Sequence, residues 1–135
     1  MDILKWSDEL SVGSDVLDAH HKHLFVLLTE IGRAARGGGG LGVVVGVLAE
    51  LTDYIAYHFR EEEAMMEKVA FPLLAQHRAS HEAIAMKVHE MAERVDVGNF
   101  RTFVAELQAF LEEWLIHHIE IEDFEYRPYM GVQPD

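Results

Sequence analysis

Several features are absent from the sequence, and each absence excludes a class of function. No cysteine occurs among the 135 residues, which excludes disulfides, thiolate metal sites and a cysteine nucleophile and fits a reducing cytoplasm. Basic residues are few, with 11 Lys and Arg against 24 Asp and Glu, giving a formal net charge of −13. A surface this acidic repels phosphate backbones and anionic lipid, so nucleic acid is a poor partner.

Long apolar runs are also lacking. The longest weakly polar stretch, Leu41 to Ala49, is far shorter than the roughly 18–20 residues needed to cross a bilayer. The N-terminus does not show the basic and apolar regions of a signal peptide. We therefore expect a cytoplasmic protein without membrane insertion. Because half of its 135 residues are hydrophobic, we also expect a single domain with one packed core, residues 1–135.

Three breakers divide the chain into four segments with helical spacing: Gly37–Gly40, Val69–Pro72 and Asp96–Asn99. Helices are predicted at about 17–36, 41–67, 72–95 and 99–126. An N-terminal arm of residues 1–16, anchored by Trp6, precedes them, and a tail at 127–135 follows Arg127-Pro128. Because short connections between long helices favour antiparallel neighbours, the predicted fold is an all-α, up-down-up-down four-helix bundle.

In each predicted helix, apolar side chains spaced three and four residues apart form one buried stripe, called here a seam, and polar residues continue these seams. In the second, third and fourth predicted helices these residues are His58, Glu62, His77, His81 and His118. The first helix gives two seams of equal quality, one through His20 and one through His21, so spacing alone leaves that choice open. In an antiparallel bundle all these positions lie towards one end, at similar depth.

This pattern predicts a metal site inside the bundle. A buried glutamate costs several kcal/mol unless it is paired or bound to a cation, and buried imidazoles need partners for two ring nitrogens each. Imidazole and carboxylate donors without thiolate suit iron and, less distinctively, zinc, manganese or copper. Spacing favours Glu122, four residues after His118, as a second carboxylate.

The ordered motifs resemble those of the hemerythrins, specifically the single-domain bacterial kind, over nearly the whole chain. The motifs are Trp6 with Val12-Gly13, the segment Asp18–Phe25, the segment His58–Glu63, Phe71-Pro72 followed by His77 and His81, and the segment Trp114–Ile119 ending in Asp123. Each is weak alone, but their order and spacing together make the resemblance strong. Two residues depart from the usual pattern: His20 replaces a glutamine, and Phe71 replaces a tyrosine.

The resemblance implies a centre of two non-haem iron ions with an oxo or hydroxo bridge. The implied ligands are His21, His58, Glu62, His77, His81, His118 and Asp123. The choice of His21 over His20, and of Asp123 over Glu122, rests on the resemblance. It also implies a wall around bound O₂ made of Phe59, Trp114, Leu115 and Ile119. We expect His20 at the surface or rim of the bundle, with the alternative that it competes for iron or tunes the neighbouring ligand. Glu63 is expected on a solvated face.

The expected function is reversible O₂ binding for oxygen storage, transport or delivery, by a binding protein and not an enzyme. The alternatives are an O₂ or redox sensor and a diiron enzyme of the peroxidase, oxidase or nitric oxide reductase type. The expected partner is O₂, and an O₂-consuming enzyme is one candidate recipient. We expect a monomer.

Overall fold

The computed structural model describes residues 6–34, 36, 40–96 and 98–130. Within these residues it contains no β-strand and four α-helices: α1 (Asp15–Arg33), α2 (Leu41–Lys68), α3 (Leu74–Glu93) and α4 (Phe100–His117). A short 3₁₀ turn, Asp8–Leu10, precedes α1, and α4 runs into a π-helical turn, His118–Glu122, and a 3₁₀ segment, Asp123–Met130. Helix α1 packs against α2 and α4, and α2 packs against α3. The fold is the predicted all-α antiparallel four-helix bundle.

Helix α1 begins at Asp15, two residues before the predicted start. The reason is the cap at Ser14, whose hydroxyl accepts a hydrogen bond of 3.2 Å from the backbone N–H of Leu17. Asp15 and Asp18 in the first turn add negative charge where the helix dipole favours it.

The arm before α1 is held by the carboxylate of Asp18. This group accepts hydrogen bonds from the Ser11 hydroxyl at 2.5 Å and from the Val12 backbone N–H at 2.9 Å. Val12 is fully buried, and Trp6 packs edge-on against Phe25 with ring centroids 6.1 Å apart. The first five residues of the predicted arm lie outside the described residues, as do Gly37–Gly39 of the first predicted break.

The turn between α2 and α3 shifts the start of α3 from the predicted Pro72 to Leu74. Ala70 adopts a left-handed conformation with φ 56°, and the Phe71 N–H donates to the Met66 carbonyl at 2.9 Å. These are the features of a Schellman motif, which closes a helix C-terminus. A second turn then bonds the Leu74 N–H to the Phe71 carbonyl at 3.3 Å, so the new helix begins beyond Pro72.

The chain after α4 differs from the expected single helix that ends before a tail. The N–H of Asp123 reaches back five residues to the carbonyl of His118, which widens this turn into a π-helix. The following 3₁₀ segment includes Pro128, so residues 127–130 are not a tail. Tyr126 is fully buried, and its packing holds this segment against the bundle.

Helix α1 buries both of its predicted seams. Leu27 and Leu28 are each no more than 2% exposed, and so both faces of the helix contribute to the core. Both seams are buried because α1 contacts α2 along one side and α4 along another. The rest of the core is mainly leucine, isoleucine and valine from all four helices, together with larger side chains such as Phe59 and Met66.

Among the described helices, α2 is long and apolar enough to span a membrane by length and composition alone. In the bundle, its buried face carries apolar side chains and also His58 and Glu62, both 0% exposed. This polar pair leads to the candidate site.

Candidate metal centre

The seven predicted ligands meet inside the bundle. His58 and Glu62 lie towards the end of α2, His77 and His81 near the start of α3, and His118 directly after α4. Together with His21 and Asp123, every one of the seven is at most 4% exposed. The sequence therefore folds so that donors from α1, α2, α3 and the segment that follows α4 reach one buried position.

The ligand atoms form two groups that could each hold a metal ion. The first group, called here the three-histidine cluster, contains Glu62, His77, His81 and His118. The second, called the two-histidine cluster, contains His21, His58, Glu62 and Asp123. Within each cluster the ligand atoms lie within 4.8 Å of one another, and Glu62 belongs to both.

Glu62 turns one carboxylate oxygen towards each cluster. Its Oε1 lies 2.8–3.3 Å from the Nε2 atoms of the three-histidine cluster. Its Oε2 lies 3.6 Å from Nε2 of His58 and 3.8 Å from Nε2 of His21. A carboxylate placed in this way can bind one ion through each oxygen.

Asp123 has the same arrangement. Its Oδ1 lies 2.9 Å from Nε2 of His77 and 3.1 Å from Nε2 of His118, while its Oδ2 lies 3.1 Å from Nε2 of His21. The π-helical turn produces this geometry, because residues five apart share a face where the helix is widened. Ordinary helical spacing points to Glu122 instead, which the structure places at Nδ1 of His118, outside the two clusters.

Many of these atoms lack hydrogen bonds, although they are buried. Within the described residues no hydrogen bond reaches His21 Nε2, His58 Nε2, His81 Nε2, His118 Nε2 or either carboxylate oxygen of Asp123. These atoms lie close to one another but are not aligned for hydrogen bonding. They point instead towards shared positions between them. Buried polar groups without partners cost free energy. A bound cation removes that cost, and the imidazole and carboxylate donors fit iron.

The electrostatics of the site favour positive charge. Burial alone would lower the pKa of His21 and His77, but the adjacent carboxylates of Asp123 and Glu62 raise each pKa to about 9. Burial would likewise raise the pKa of Glu62, yet the surrounding imidazoles hold it well below its usual range. Without a metal, the carboxylates therefore retain protons on neighbouring histidines, which are the charges that a metal ion would replace.

Residues 12–130 match the family described as "Hemerythrin HHE cation binding domain". The chain belongs to the hemerythrin family. It is 35% identical over 133 residues to a "Bacteriohemerythrin" of Stenotrophomonas maltophilia (strain R551-3), covering 93% of this chain and 80% of that protein. It is 28% identical to a "Myohemerythrin" of Riftia pachyptila, covering 90% and 89%. A crystal structure of wild-type hemerythrin superposes with a TM-score of 0.83 at 23% identity, covering 97% of this chain and all of that one, which supports the fold.

The hemerythrin fold supplies carboxylates outside the two clusters as well. Glu63 Oε2 lies 2.8 Å from Nδ1 of His81, and Glu122 Oε1 lies 2.9 Å from Nδ1 of His118. The hydrogen bond to His118 lowers the pKa of Glu122 to about 2. The expectation that Glu63 lies on a solvated face is wrong, because its side chain is 20% exposed and turned inwards. Such contacts orient the rings and leave Nε2 directed at the metal position.

Sequence reasoning missed Tyr126. Its hydroxyl donates a hydrogen bond of 2.8 Å to Oε2 of Glu62, and the side chain is fully buried. Burial and the adjacent carboxylates raise the pKa of Tyr126 well above 10, so the phenol keeps its proton. The available signal was a tyrosine close after Asp123, but no spacing rule covers a segment that changes from π-helix to 3₁₀-helix.

The expectation that His20 lies at the surface or rim is also wrong. The residue is 6% exposed, and its Nδ1 lies 3.0 Å from Nδ1 of His58. The reason is the double burial of α1, which covers both faces of that helix. The ring of His20 also contacts the rings of Tyr54 and Tyr57.

The four residues expected to form an O₂ wall lie beside the clusters. Phe59 stacks on His81 with centroids 3.8 Å apart and planes within 3°, and Trp114 stacks on His118 at 5.0 Å. Leu115 and Ile119 are fully buried. Both aromatic rings therefore cover the three-histidine cluster, and the role of all four residues in O₂ binding stays a prediction.

Proposed function

We propose that this hemerythrin-family chain holds two iron ions and binds O₂ reversibly for storage, transport or delivery. The observation that carries the proposal is the double orientation of both carboxylates. Glu62 and Asp123 each direct one oxygen to the three-histidine cluster and the other to the two-histidine cluster. Two ions would make use of all four carboxylate oxygens, whereas one ion would leave some of them buried and unused.

The two clusters have unequal donor sets. His77, His81 and His118 would bind one ion, and His21 and His58 would bind the other. Glu62 belongs to both clusters, and Asp123 has one oxygen near the histidines of each. An ion in the two-histidine cluster would have fewer histidine donors, which would leave room for an external ligand such as O₂. When bound, the iron pair supplies the redox chemistry by which O₂ is held.

The protein's own residues bind, orient and shield. Glu63 and Glu122 fix the rings of His81 and His118 through their Nδ1 atoms. Tyr126 donates to Glu62, which holds that carboxylate in position. Buried apolar side chains such as Leu115 and Ile119 keep bulk water from the centre, which limits proton transfer and favours reversal over irreversible oxidation.

The physiological setting we propose is the cytoplasm, with an O₂-consuming enzyme as recipient and a monomer as the working form. Absence of cysteine and a net charge of −13 suit a reducing compartment and a well-solvated surface.

The test is optical. Protein loaded with Fe(II) without oxygen should change colour on exposure to O₂ and return to its starting spectrum after flushing with argon, through several cycles. Steady consumption of a reductant and O₂ without a reversible spectrum would replace this proposal with the enzyme alternative. A His118→Ala variant should lose the signal, and His117→Ala, at an exposed neighbouring residue, should keep it.

A further inference from the structure

The imidazole of His58 has two different environments. Its Nε2 faces the two-histidine cluster and has no hydrogen-bond partner among the residues described. Its Nδ1 faces away from the cluster and lies 3.0 Å from Nδ1 of His20. Both rings are buried, and their planes are inclined at 85°.

This contact constrains where the protons are. An imidazole that binds a metal through Nε2 carries its proton on Nδ1, because each ring nitrogen of a neutral histidine is either a donor or an acceptor. The Nδ1–H of His58 must then donate, and Nδ1 of His20 lies at hydrogen-bond distance. His20 can accept only as a neutral ring with its own proton on Nε2.

We propose that His20 is a positioning residue for the two-histidine cluster: its Nδ1 accepts the Nδ1 proton of His58 and thereby fixes His58 with a bare Nε2 directed at the metal position. This inference rests on the proposed role of His58 as a ligand.

The ring of His20 is itself held in place by packing. Its centroid lies 5.1 Å from that of Tyr57 and 5.9 Å from that of Tyr54. The Tyr54 ring contacts His20 edge-on, at an interplanar angle of 83°. Two aromatic side chains from α2 therefore restrict the orientation of the acceptor, so that His58 meets it at a fixed angle.

The contact also makes the two halves of the centre unlike. His81 and His118 are backed by carboxylates, from Glu63 and Glu122, whereas His58 is backed by a neutral imidazole. A carboxylate draws the Nδ1 proton more strongly and makes the ring a better donor to metal. The contact with His20 therefore orients His58, but it increases the electron density on the His58 ring less than a carboxylate would. The ion in the two-histidine cluster should be the more weakly bound of the two.

The first test is the protonation pattern of His58, read by long-range ¹⁵N–¹H NMR of the imidazole nitrogens in the metal-free and Zn(II)-loaded protein. We expect the proton on Nδ1 in both forms, with the shift of a hydrogen-bonded donor. A proton on Nε2 of His58 in the metal-free protein would overturn the proposal. This measurement needs no variant and no iron, so it separates this inference from the O₂ proposal.

The second test compares three variants by Zn(II) titration and the same NMR signals. His20→Leu removes the acceptor and should weaken one of two Zn(II) sites about 10–100-fold, with the Nδ1 preference of His58 lost. His20→Gln retains an acceptor oxygen and should restore both. His23→Leu is the matched control, because the ring of His23 also contacts Tyr54, and among the described residues no ring contact joins it to a predicted ligand. An unchanged tautomer and unchanged Zn(II) affinities in a folded His20→Leu protein would refute the role of His20.

Discussion

The buried hydroxyl of Tyr126 donates a hydrogen bond of 2.8 Å to Oε2 of Glu62. Removing it by Tyr126→Phe leaves a buried carboxylate oxygen without that donor. We expect the free energy of unfolding of the metal-free protein to fall by about 1–3 kcal/mol, as measured by urea denaturation. Tyr129→Phe is the control, because Tyr129 is 43% exposed and its loss should matter little. Equal changes in the two variants would contradict the assignment.

For single residues, the sequence predicted which side chains are buried better than it predicted which residues those side chains contact. Periodicity identified His58, Glu62, His77, His81 and His118 because each continues an apolar stripe. It could not separate His20 from His21, since the structure buries both. It also missed Glu63 and Tyr126. Their roles depend on which helix lies opposite, and that information is not contained in the spacing along one helix.

The contact between α1 and α4 gives a prediction about elements. Gln108 on α4 donates a hydrogen bond of 3.0 Å to the Leu28 carbonyl, crossing α1 over Gly32. A Cβ on Gly32 would lie 2.1 Å from Nε2 of Gln108. A helical Gly→Ala change normally stabilises by about 1 kcal/mol. Here the Gln108 amide would have to move aside and give up its hydrogen bond to the Leu28 carbonyl, so we expect Gly32→Ala to lose this gain and to destabilise by about 1 kcal/mol, measured by thermal or urea unfolding.

Two controls define that experiment. Gly46→Ala in α2 should stabilise the protein, because nothing lies within 4 Å of the added Cβ. Combining Gly32→Ala with Gln108→Ala should remove most of the steric cost, leaving only the lost hydrogen bond. If Gly32→Ala stabilised the protein as much as Gly46→Ala, the close packing of α1 on α4 would be refuted.

The arm and α1 are joined by one carboxylate. Asp18→Ala removes the acceptor for the Val12 N–H and the Ser11 hydroxyl, so the arm should loosen. We expect amide hydrogen exchange at Val12 to accelerate at least tenfold, while exchange in α3 stays nearly unchanged. Asp15→Ala is the matched control, because it removes an acidic residue from the same first turn of α1 without touching the arm. Equal rates of amide exchange at Val12 in both variants would contradict the proposed role of Asp18 in holding the arm.

At the level of elements, the sequence predicted the number and order of the helices but not the change of helix type after α4. Apolar spacing and the glycine and proline breakers suffice to predict the number and order of the helices. The π-helical turn is invisible to a 3.6-residue period, because the same residues fit an ordinary helix that places Glu122 beneath His118. In the structure, burial of Asp123 and Tyr126 favours the wider turn.

For the whole molecule, the buried histidines predict how stability depends on pH. His21 and His77 have pKa values raised to about 9 in the folded metal-free protein, and the pKa of His118 is raised well above 6.5. Because protonation is favoured in the folded state, this stability is fully present below pH 6.5 and is lost as the pH rises through about 9. Urea denaturation of metal-free protein should show a free energy of unfolding that falls from pH 6.5 to 9.

His58 has the opposite effect on the pH dependence of stability, but it acts in a lower pH range. Burial holds its pKa well below 6.5, so its effect is a loss of stability below pH 6.5. Metal should replace the protons on His21, His77 and His118, so Zn(II) affinity should rise over the range in which metal-free stability falls. Metal-free stability that is flat or increasing between pH 6.5 and 9 would contradict the electrostatic picture of the centre.

The most direct test of the whole account is the number of iron ions that one folded chain binds. Anaerobic Fe(II) titration followed by removal of free metal and elemental analysis counts them. Glu62 and Asp123 each direct one oxygen to each cluster, so the account predicts two iron ions per chain. One iron per chain, or none, in protein that retains its helical spectrum would contradict it.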